Sequence, residues 1–331
     1  MVIPHYGPPA PAQRLVADLL RQRGSAADQL QVIVSDDCSP EAFPATPGVT
    51  VVRREVNGGF GAAVNSGVVH ARHRRLLVMN SDVEIGEDFV IELLQQSAPW
   101  LPAVVSPFVT DRQGGNAWTG RHFPTVRHQV VEWLTPLARW RHLQLLHEAV
   151  GHDTRVRRGL TTVVDWAVGC VLLLPTHDFL DVGGFDESFF MNCEEIDLQR
   201  RLRARGLPTV VLATPRVVHE GGASSDPLRR RSWLVEARLR YAEKWGGLLA
   251  LRVSLAAASL VNLLWNGVRW TAGRDVRPLR EARAELALLT RSPGRCRREN
   301  HVHQPGCDQP SPAGPVAPRP PHDARISPRV R

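Results

Sequence analysis

A chain of 331 residues, 43% of them hydrophobic, is long enough to bury a sizeable core. Its formal charge of +8 does not mark a nucleic-acid binder: every basic residue except Lys244 is arginine, which reads as a coding bias, and residues 291–331 set eight arginines against only Glu299, Asp308 and Asp323. The five cysteines are widely spaced and form no C-x-x-C pair, which excludes the common zinc and redox motifs and fits a reduced location.

The chain opens Met1-Val2-Ile3-Pro4 without a basic region, apolar run and cleavage site, so the expected location is cytoplasmic. Short apolar runs then alternate with helical stretches, the pattern of a mostly parallel α/β sheet. Val2-Ile3 opens it, residues 15–20 suggest a helix, and 31–34, 49–52 and 76–79 read as strands. In open α/β sheets ligands gather beyond the carboxyl ends of the strands. Those ends read His5-Tyr6, Asp36-Asp37, Asn57-Gly58-Gly59-Phe60-Gly61 and Asn80-Ser81-Asp82.

A Trp-, His- and Arg-rich middle follows, at about 114–158, and then two more apolar runs, 163–174 and 210–213. Of its tryptophans, Trp118, Trp133 and Trp140 have faces suited to pyranose rings, although core packing accounts better for most of them. From 229 a helical stretch runs to about 291. Its apolar part, 248–270, has an uninterrupted run too short to span a bilayer comfortably. An interfacial helix beside a lipid-linked acceptor and a helix packed on the catalytic domain or in a dimer both fit it. Residues 291–331 hold nine of the 26 prolines and are expected to be disordered.

Two acids at a strand end suit a nucleoside, because a carboxylate accepts strongly from a base N–H or a ribose hydroxyl. The glycine run 58–61 lets backbone approach a ligand at a helix start. Asp82 closes an apolar strand and can hold a divalent ion, which neutralises a departing diphosphate. For each of these the bland alternative is a turn or helix-cap residue.

The second block reads Trp166-Ala167-Val168-Gly169-Cys170, Val182-Gly183-Gly184-Phe185-Asp186-Glu187-Ser188-Phe189-Phe190, Glu194-Glu195-Ile196-Asp197-Leu198 and His219-Glu220-Gly221-Gly222. In this order and spacing, over roughly residues 1–225, the two blocks resemble the bacterial family 2 glycosyltransferases, especially the rhamnosyltransferase-like branch that builds cell-envelope glycans. The resemblance implies a GT-A fold with a Rossmann-like, mostly parallel sheet. Its nucleotide-binding half would be 1–110 and its acceptor half 111–225, followed by a helical extension 226–290 and the disordered tail 291–331.

It further implies nucleotide-sugar contacts from Pro4, Tyr6, Asp36, Asp37, Asn57, Gly58, Gly61, Asn65, Asn80 and Ser81, and acceptor contacts from Trp166, Gly169 and Glu194. Asp82 would be the retained acid of the Asp-x-Asp metal motif, with Asn80 where the first acid often stands and His219 completing the shell around Mg²⁺ or Mn²⁺. Glu195 takes the position of the usual aspartate in Glu-Asp-x-Asp and would be the general base of an inverting displacement. Asp197, the second catalytic candidate, would supply a supporting hydrogen bond or arginine pair.

The expected reaction moves a sugar, rhamnose being the first expectation, from a nucleoside-diphosphate donor to a hydroxyl of a saccharide or lipid-linked acceptor, with no nucleic-acid partner. Peripheral placement on the inner face of the plasma membrane would accompany an interfacial helix. A nucleotidyltransferase and a non-catalytic sugar-nucleotide-binding relative remain as alternatives. The first would release pyrophosphate rather than nucleoside diphosphate, and the second would bind without turnover.

Overall fold

The computed structural model describes residues 1–24, 30–219 and 227–292. The first strands are continuous apolar runs, buried on both faces as parallel strands between helices must be: β1 (Val2–His5), β2 (Val32–Asp36) and β4 (Arg75–Met79), with β3 (Val49–Arg53) at the edge. They pair in parallel in the order β3-β2-β1-β4. Alternate side chains point to opposite faces. Ile3, Val32 and Val34 therefore meet α1 (Ala10–Leu20) through Ala12, Leu15, Val16 and Leu19, while Val2 and Ile33 meet α2 (Phe60–Val68) through Val64 and Val68.

Beyond β4 the sheet becomes mixed. After β5 (Val83–Glu84) and α3 (Phe89–Ser97) comes β6 (Val104–Thr110), buried along its whole length. Then follow β7 (Gly120–Arg121), α4 (Val126–Trp133), α5 (Gln144–Ala149), β8 (Thr162–Val164), β9 (Trp166–Ala167) and β10 (Val171–Pro175). The last elements of this part are α6 (Thr176–Asp181), α7 (Glu194–Ala204) and β11 (Thr209–His219). β10 inserts antiparallel between β4 and β6, and β11 lies parallel to β6 with β5 and β8 antiparallel on it. One sheet thus runs through both halves of the chain, and the expected parallel order holds for β3-β2-β1-β4 and for β6-β11 only.

The apolar run 163–174 contributes to three strands: Asp165 separates β8 from β9, its carboxylate accepting from Phe123 N at 3.0 Å and pairing with Arg203 at 3.0 Å, and residues 168–170 separate β9 from β10. β6 had no sequence signal because Pro107 breaks its apolar run. The structure accommodates that proline opposite a register shift in β11 between Val211 and Arg216, where no ladder bond is required of it.

The helical stretch 229–291 resolves into α8 (Pro227–Trp245), α9 (Leu248–Thr271) and α10 (Pro278–Leu289). Gly246 and Gly247, with φ of 95° and 92°, separate the first two, a conformation costly for any side-chain-bearing residue. At 24 residues α9 is long and apolar enough to cross a membrane by length and composition, because the helix as a whole extends past Arg252 and Arg269, which bound its uninterrupted apolar run. One face of α9 packs on α4, α8 and α10 around Trp133, Leu239, Leu251, Leu255 and Leu289. The tail expectation falls, from residue 293 onward, outside the described residues.

Candidate active site

The strand-end residues divide into those that build the crevice and those that face it. Asp36 belongs to the first group. It is 0% exposed and its carboxylate accepts from Ser39 N at 2.8 Å and Phe43 N at 3.0 Å and from Arg53, so no oxygen is left for a nucleotide. Burial would raise its pKa, but these hydrogen bonds and the arginine outweigh burial and hold it low. Asp37 is also engaged, accepting from Gly58 N at 3.0 Å and Gly59 N at 2.7 Å and pairing with Arg54 at 2.8 Å. Here burial prevails over the donors and the pKa is raised.

The glycine run serves chain-to-chain contact where sequence suggested ligand contact. Gly59 has φ 87°, and a Cβ there would lie 1.8 Å from Phe190 O, which also accepts from Phe60 N at the start of α2. A Cβ at Gly61 would meet Phe185 at 2.8 Å. Asn65 completes this joint, accepting from Phe185 N at 2.9 Å and donating to Phe185 O at 2.9 Å. Gly59, Gly61 and Asn65 therefore fasten the first motif block to the second, while Gly58 and both aspartates brace the first block internally. Pro4 is buried in β1, whereas Tyr6 is 43% exposed beyond it, and Asn57 and Ser81 are half-buried.

At the β4 end the geometry is different. Antiparallel pairing of β5 with β11 sets Val83 opposite His219, and this brings His219 Nε2 to 3.2 Å from Asp82 Oδ1 and 3.3 Å from Asn80 Nδ2. The Asp82 side chain is 41% exposed; burial pulls its pKa up, and the hydrogen bond and charge of His219 bring it below the ordinary value. Asn80 Oδ1 is buried and has no partner. An orphaned carbonyl oxygen, a carboxylate and an imidazole in one corner are a donor set that suits Mg²⁺ or Mn²⁺. Among the described residues no three His, Cys, Asp or Glu side chains converge, so such an ion would rely on Asn80 as third protein donor and on phosphate oxygens.

Asn80 N donates to Cys170 O at 2.8 Å, and this joins the corner to the acidic motif. A Cβ on neighbouring Gly169 would lie 3.2 Å from Glu195 Cβ, so the glycine is what lets Glu195 come so close. Glu194 and Glu195 open α7 after two left-handed residues, Asn192 (φ 70°) and Cys193 (φ 65°), a strained entry of the kind found at functional sites. Each has one buried carboxylate oxygen, Oε2, without a partner. Burial raises the pKa of both; the neighbouring charge of Glu195 adds to the rise at Glu194, and half-buried Arg121 partly offsets it at Glu195. Carboxyls at a helix start ordinarily gain from the dipole, and here desolvation wins.

Asp197 is not beside them in function. It is 0% exposed and its carboxylate binds Arg201 Nε at 2.8 Å, Lys244 Nζ at 2.8 Å and Trp245 Nε1 at 2.9 Å, which makes it a fastener between α7 and α8. The supporting arginine pair expected of it is present, and no oxygen faces the crevice side. Trp166 is likewise a wall: it is buried, donates Nε1–H to His122 O at 2.9 Å, and lies under Arg121 at 5.7 Å. Of the other tryptophans, Trp118 is stacked on His147 at 3.9 Å, Trp133 is buried and bonded to Ser259 at 2.8 Å, and Trp140 is capped by Arg139 at 4.1 Å.

Sequence reasoning missed Gln199, Arg121 and the pair Lys244–Trp245. Gln199 is fully buried, brackets Ala167 with bonds of 2.8 and 2.7 Å and donates to Glu195 O at 3.0 Å, and so fixes α7 on β9. Lys244 carried a signal, as the lone lysine among arginines. The others had none, since neither residue type is unusual where it stands. Glu220, Gly221 and Gly222 lie outside the described residues.

The description of glycosyl transferase family 2 matches residues 1–158. The N-acetylglucosaminyl-diphospho-decaprenol L-rhamnosyltransferase of Mycobacterium tuberculosis is 26% identical over 243 residues, covering 66% of this chain and 75% of that protein. Rhamnosyltransferase WbbL of Escherichia coli is 25% identical over 158 residues, 45% of this chain and 56% of its own. Among solved structures, the mannosyltransferase PcManGT from Pyrobaculum calidifontis, in complex with GDP-Man and Mn²⁺, superposes with a TM-score of 0.52 at 14% identity, covering 87% of this chain and 83% of that one. GalNAc-T7 with UDP, GalNAc and Mn²⁺ gives 0.51 at 14% identity over 73% of this chain, which spans about half (47%) of the GalNAc-T7 chain. The fold is GT-A, and residues 1–158 are similar to glycosyl transferase family 2, with relatives that are rhamnosyltransferases.

Proposed function

We propose that the protein transfers a sugar from a nucleoside-diphosphate donor to an acceptor hydroxyl with inversion, using Glu195 as general base. The observation that carries this reading is the juxtaposition across Gly169 and Cys170: Asn80, Asp82 and His219 on one side, and on the other a glutamate whose burial raises its pKa. A carboxylate whose pKa is raised toward neutrality is a better base for a sugar hydroxyl than an ordinary one. In the step proposed, Glu195 takes the hydroxyl proton, the oxygen forms a bond to the anomeric carbon, and the diphosphate leaves with the electrons of the broken bond.

Asp82, His219 and the free Oδ1 of Asn80 would hold a divalent cation, which when bound neutralises the charge growing on the leaving diphosphate. Tyr6, Asn57 and Ser81, exposed or half-buried at the strand ends, would be the remaining side chains to meet the nucleotide. Gly169 and Glu194 flank the base on the acceptor side, and Gln199 and Asp197 keep α7 in position.

The names of the two relatives support rhamnose as the sugar, and that of the mycobacterial one supports a diphospho-polyprenol-linked acceptor in cell-envelope glycan synthesis. The reaction would then run at the cytoplasmic face of the membrane. The test is a panel of nucleotide sugars, with and without Mn²⁺, followed by product analysis. Nucleoside diphosphate released in step with glycosylated acceptor is expected. Pyrophosphate release, or donor binding without turnover, would overturn the reading.

A further inference from the structure

The second half of α9 is inside out. Its inward face carries Ser259, Asn262 and Asn266, all buried: Asn262 donates to Trp133 O at 3.0 Å and lies 3.3 Å from Glu285 Oε2, and Asn266 donates to Glu281 at 2.6 Å. Its outward face is apolar. Leu249, Val253, Leu260, Leu264 and Val268 follow one another at helical spacing and are 59–76% exposed, with Trp270 beside them. Apolar side chains outward and amides inward are the pattern of a helix whose surroundings are less polar than its own packing partners.

The stripe continues into a cavity of about 780 Å³ between α9 and α10, lined by Leu263, Leu264 and Leu279 and rimmed by Arg277, Arg280 and Arg283. α9 contains no Asp or Glu. The acids of α10, Glu281 and Glu285, are turned to the inward amides of α9, and Glu285 also pairs with Arg231 at 2.9 Å. Arg274, Arg277, Arg280 and Arg283 therefore have no acidic partner among the described residues. A cationic rim around an apolar stripe matches one kind of surface, anionic headgroups over acyl chains.

We propose that the outer face of α9, with the arginine edge of α10, is a docking surface for an anionic lipid bilayer. The helix lies in the plane of that surface. It cannot cross, because its inward face is bonded to α4 and α10, and α10 brings arginines and glutamates that hydrocarbon would not accept. The surface stands independently of the donor and base assignments.

Vesicle co-sedimentation tests it, with the full chain, phosphatidylglycerol–phosphatidylcholine vesicles and pure phosphatidylcholine vesicles. Wild type should bind the anionic vesicles, weakening with salt, and bind the neutral ones at least about tenfold less. Leu260→Glu/Leu264→Glu should abolish binding, and Arg280→Glu/Arg283→Glu should cost at least about tenfold on anionic vesicles while leaving the melting temperature unchanged, since all four side chains are solvent-facing. Failure of the folded wild type to bind anionic vesicles would overturn the proposal. So would a concentration-dependent dimer in light scattering that Leu260→Glu/Leu264→Glu dissociates, for the face would then be covered by a second copy. Binding is read without turnover, so its outcome does not depend on whether the proposed reaction is right.

Discussion

Replacing Glu195 by Gln preserves the shape of the side chain and removes its basicity. A positioned base contributes 10²–10⁴-fold, roughly 3–5 kcal/mol of barrier, by taking a proton in the transition state. The structure places this loss in kcat: Glu195 lies against Gly169, beyond the Asp82–His219 corner, so donor binding should survive with its KM little changed. A second readout is the pH profile. As the proposed base Glu195 would act ionised, and burial raises its pKa above the ordinary 4.5, so kcat/KM should fall with acid at a pH above the usual carboxylate range. Arg121 opposes that rise, and Arg121→Leu should move the acidic limb to still higher pH. The assay is initial-rate release of nucleoside diphosphate with a saturating acceptor. Glu195→Gln turning over near the wild-type rate, with an acidic limb unmoved from that of wild type, would refute the assignment of the base.

Asp82→Asn and His219→Ala should each cripple turnover and weaken Mn²⁺ binding by titration calorimetry, and full wild-type activity in excess EDTA would remove the ion from the scheme. Asp197→Ala leaves Arg201 and Lys244 without their buried partner and should cost about 3–5 kcal/mol in urea unfolding; a loss below about 1 kcal/mol would show that α8 does not depend on it. Gly59→Ala puts a Cβ 1.8 Å from Phe190 O at a left-handed position and should fail to fold, so a soluble variant with wild-type melting would contradict the described joint. Glu194 favours the folded state in its neutral form, because burial raises its pKa; that stability is present in acid and is lost as pH rises through the raised value. Glu194→Gln should therefore melt higher than wild type above neutrality, with the gap closing in acid, and the opposite trend would show the carboxylate to be stabilised there.

The nucleotide half was legible because parallel strands announce themselves: 32–34 and 76–79 are unbroken apolar runs, and the polar residues at their ends either line the crevice or brace the loops that form it. β6 was not, since Pro107 disguises a strand that a bulge in β11 rescues. The acid motifs were found, but a sequence does not say where a carboxylate's oxygens go. Asp36 and Asp82 look alike in it, and the packing of Ser39, Phe43 and Arg53 turns one into scaffold while a strand pairing leaves the other half exposed beside His219. Asp197 shows the same limit: its partners Lys244 and Trp245 stand some 50 residues away on a helix whose approach no local pattern encodes.

The grip of α8 on α7 bears on what can be inherited or exchanged as one piece. Lys244 bridges Asp186 at 2.6 Å and Asp197 at 2.8 Å, Arg200 donates to the Tyr241 hydroxyl at 2.8 Å, and on its other side α8 holds α4 through Arg238 and Glu132. A chain cut at residue 225 would leave these charges without their counterparts around the helix that carries the acidic motif. A seam at Gly246-Gly247 would keep those contacts whole, although α9 beyond it still bonds to Trp133 and Thr135. The sugar-transfer unit, as an object that can be moved between proteins, would therefore reach at least to Trp245 and not stop where the motifs end.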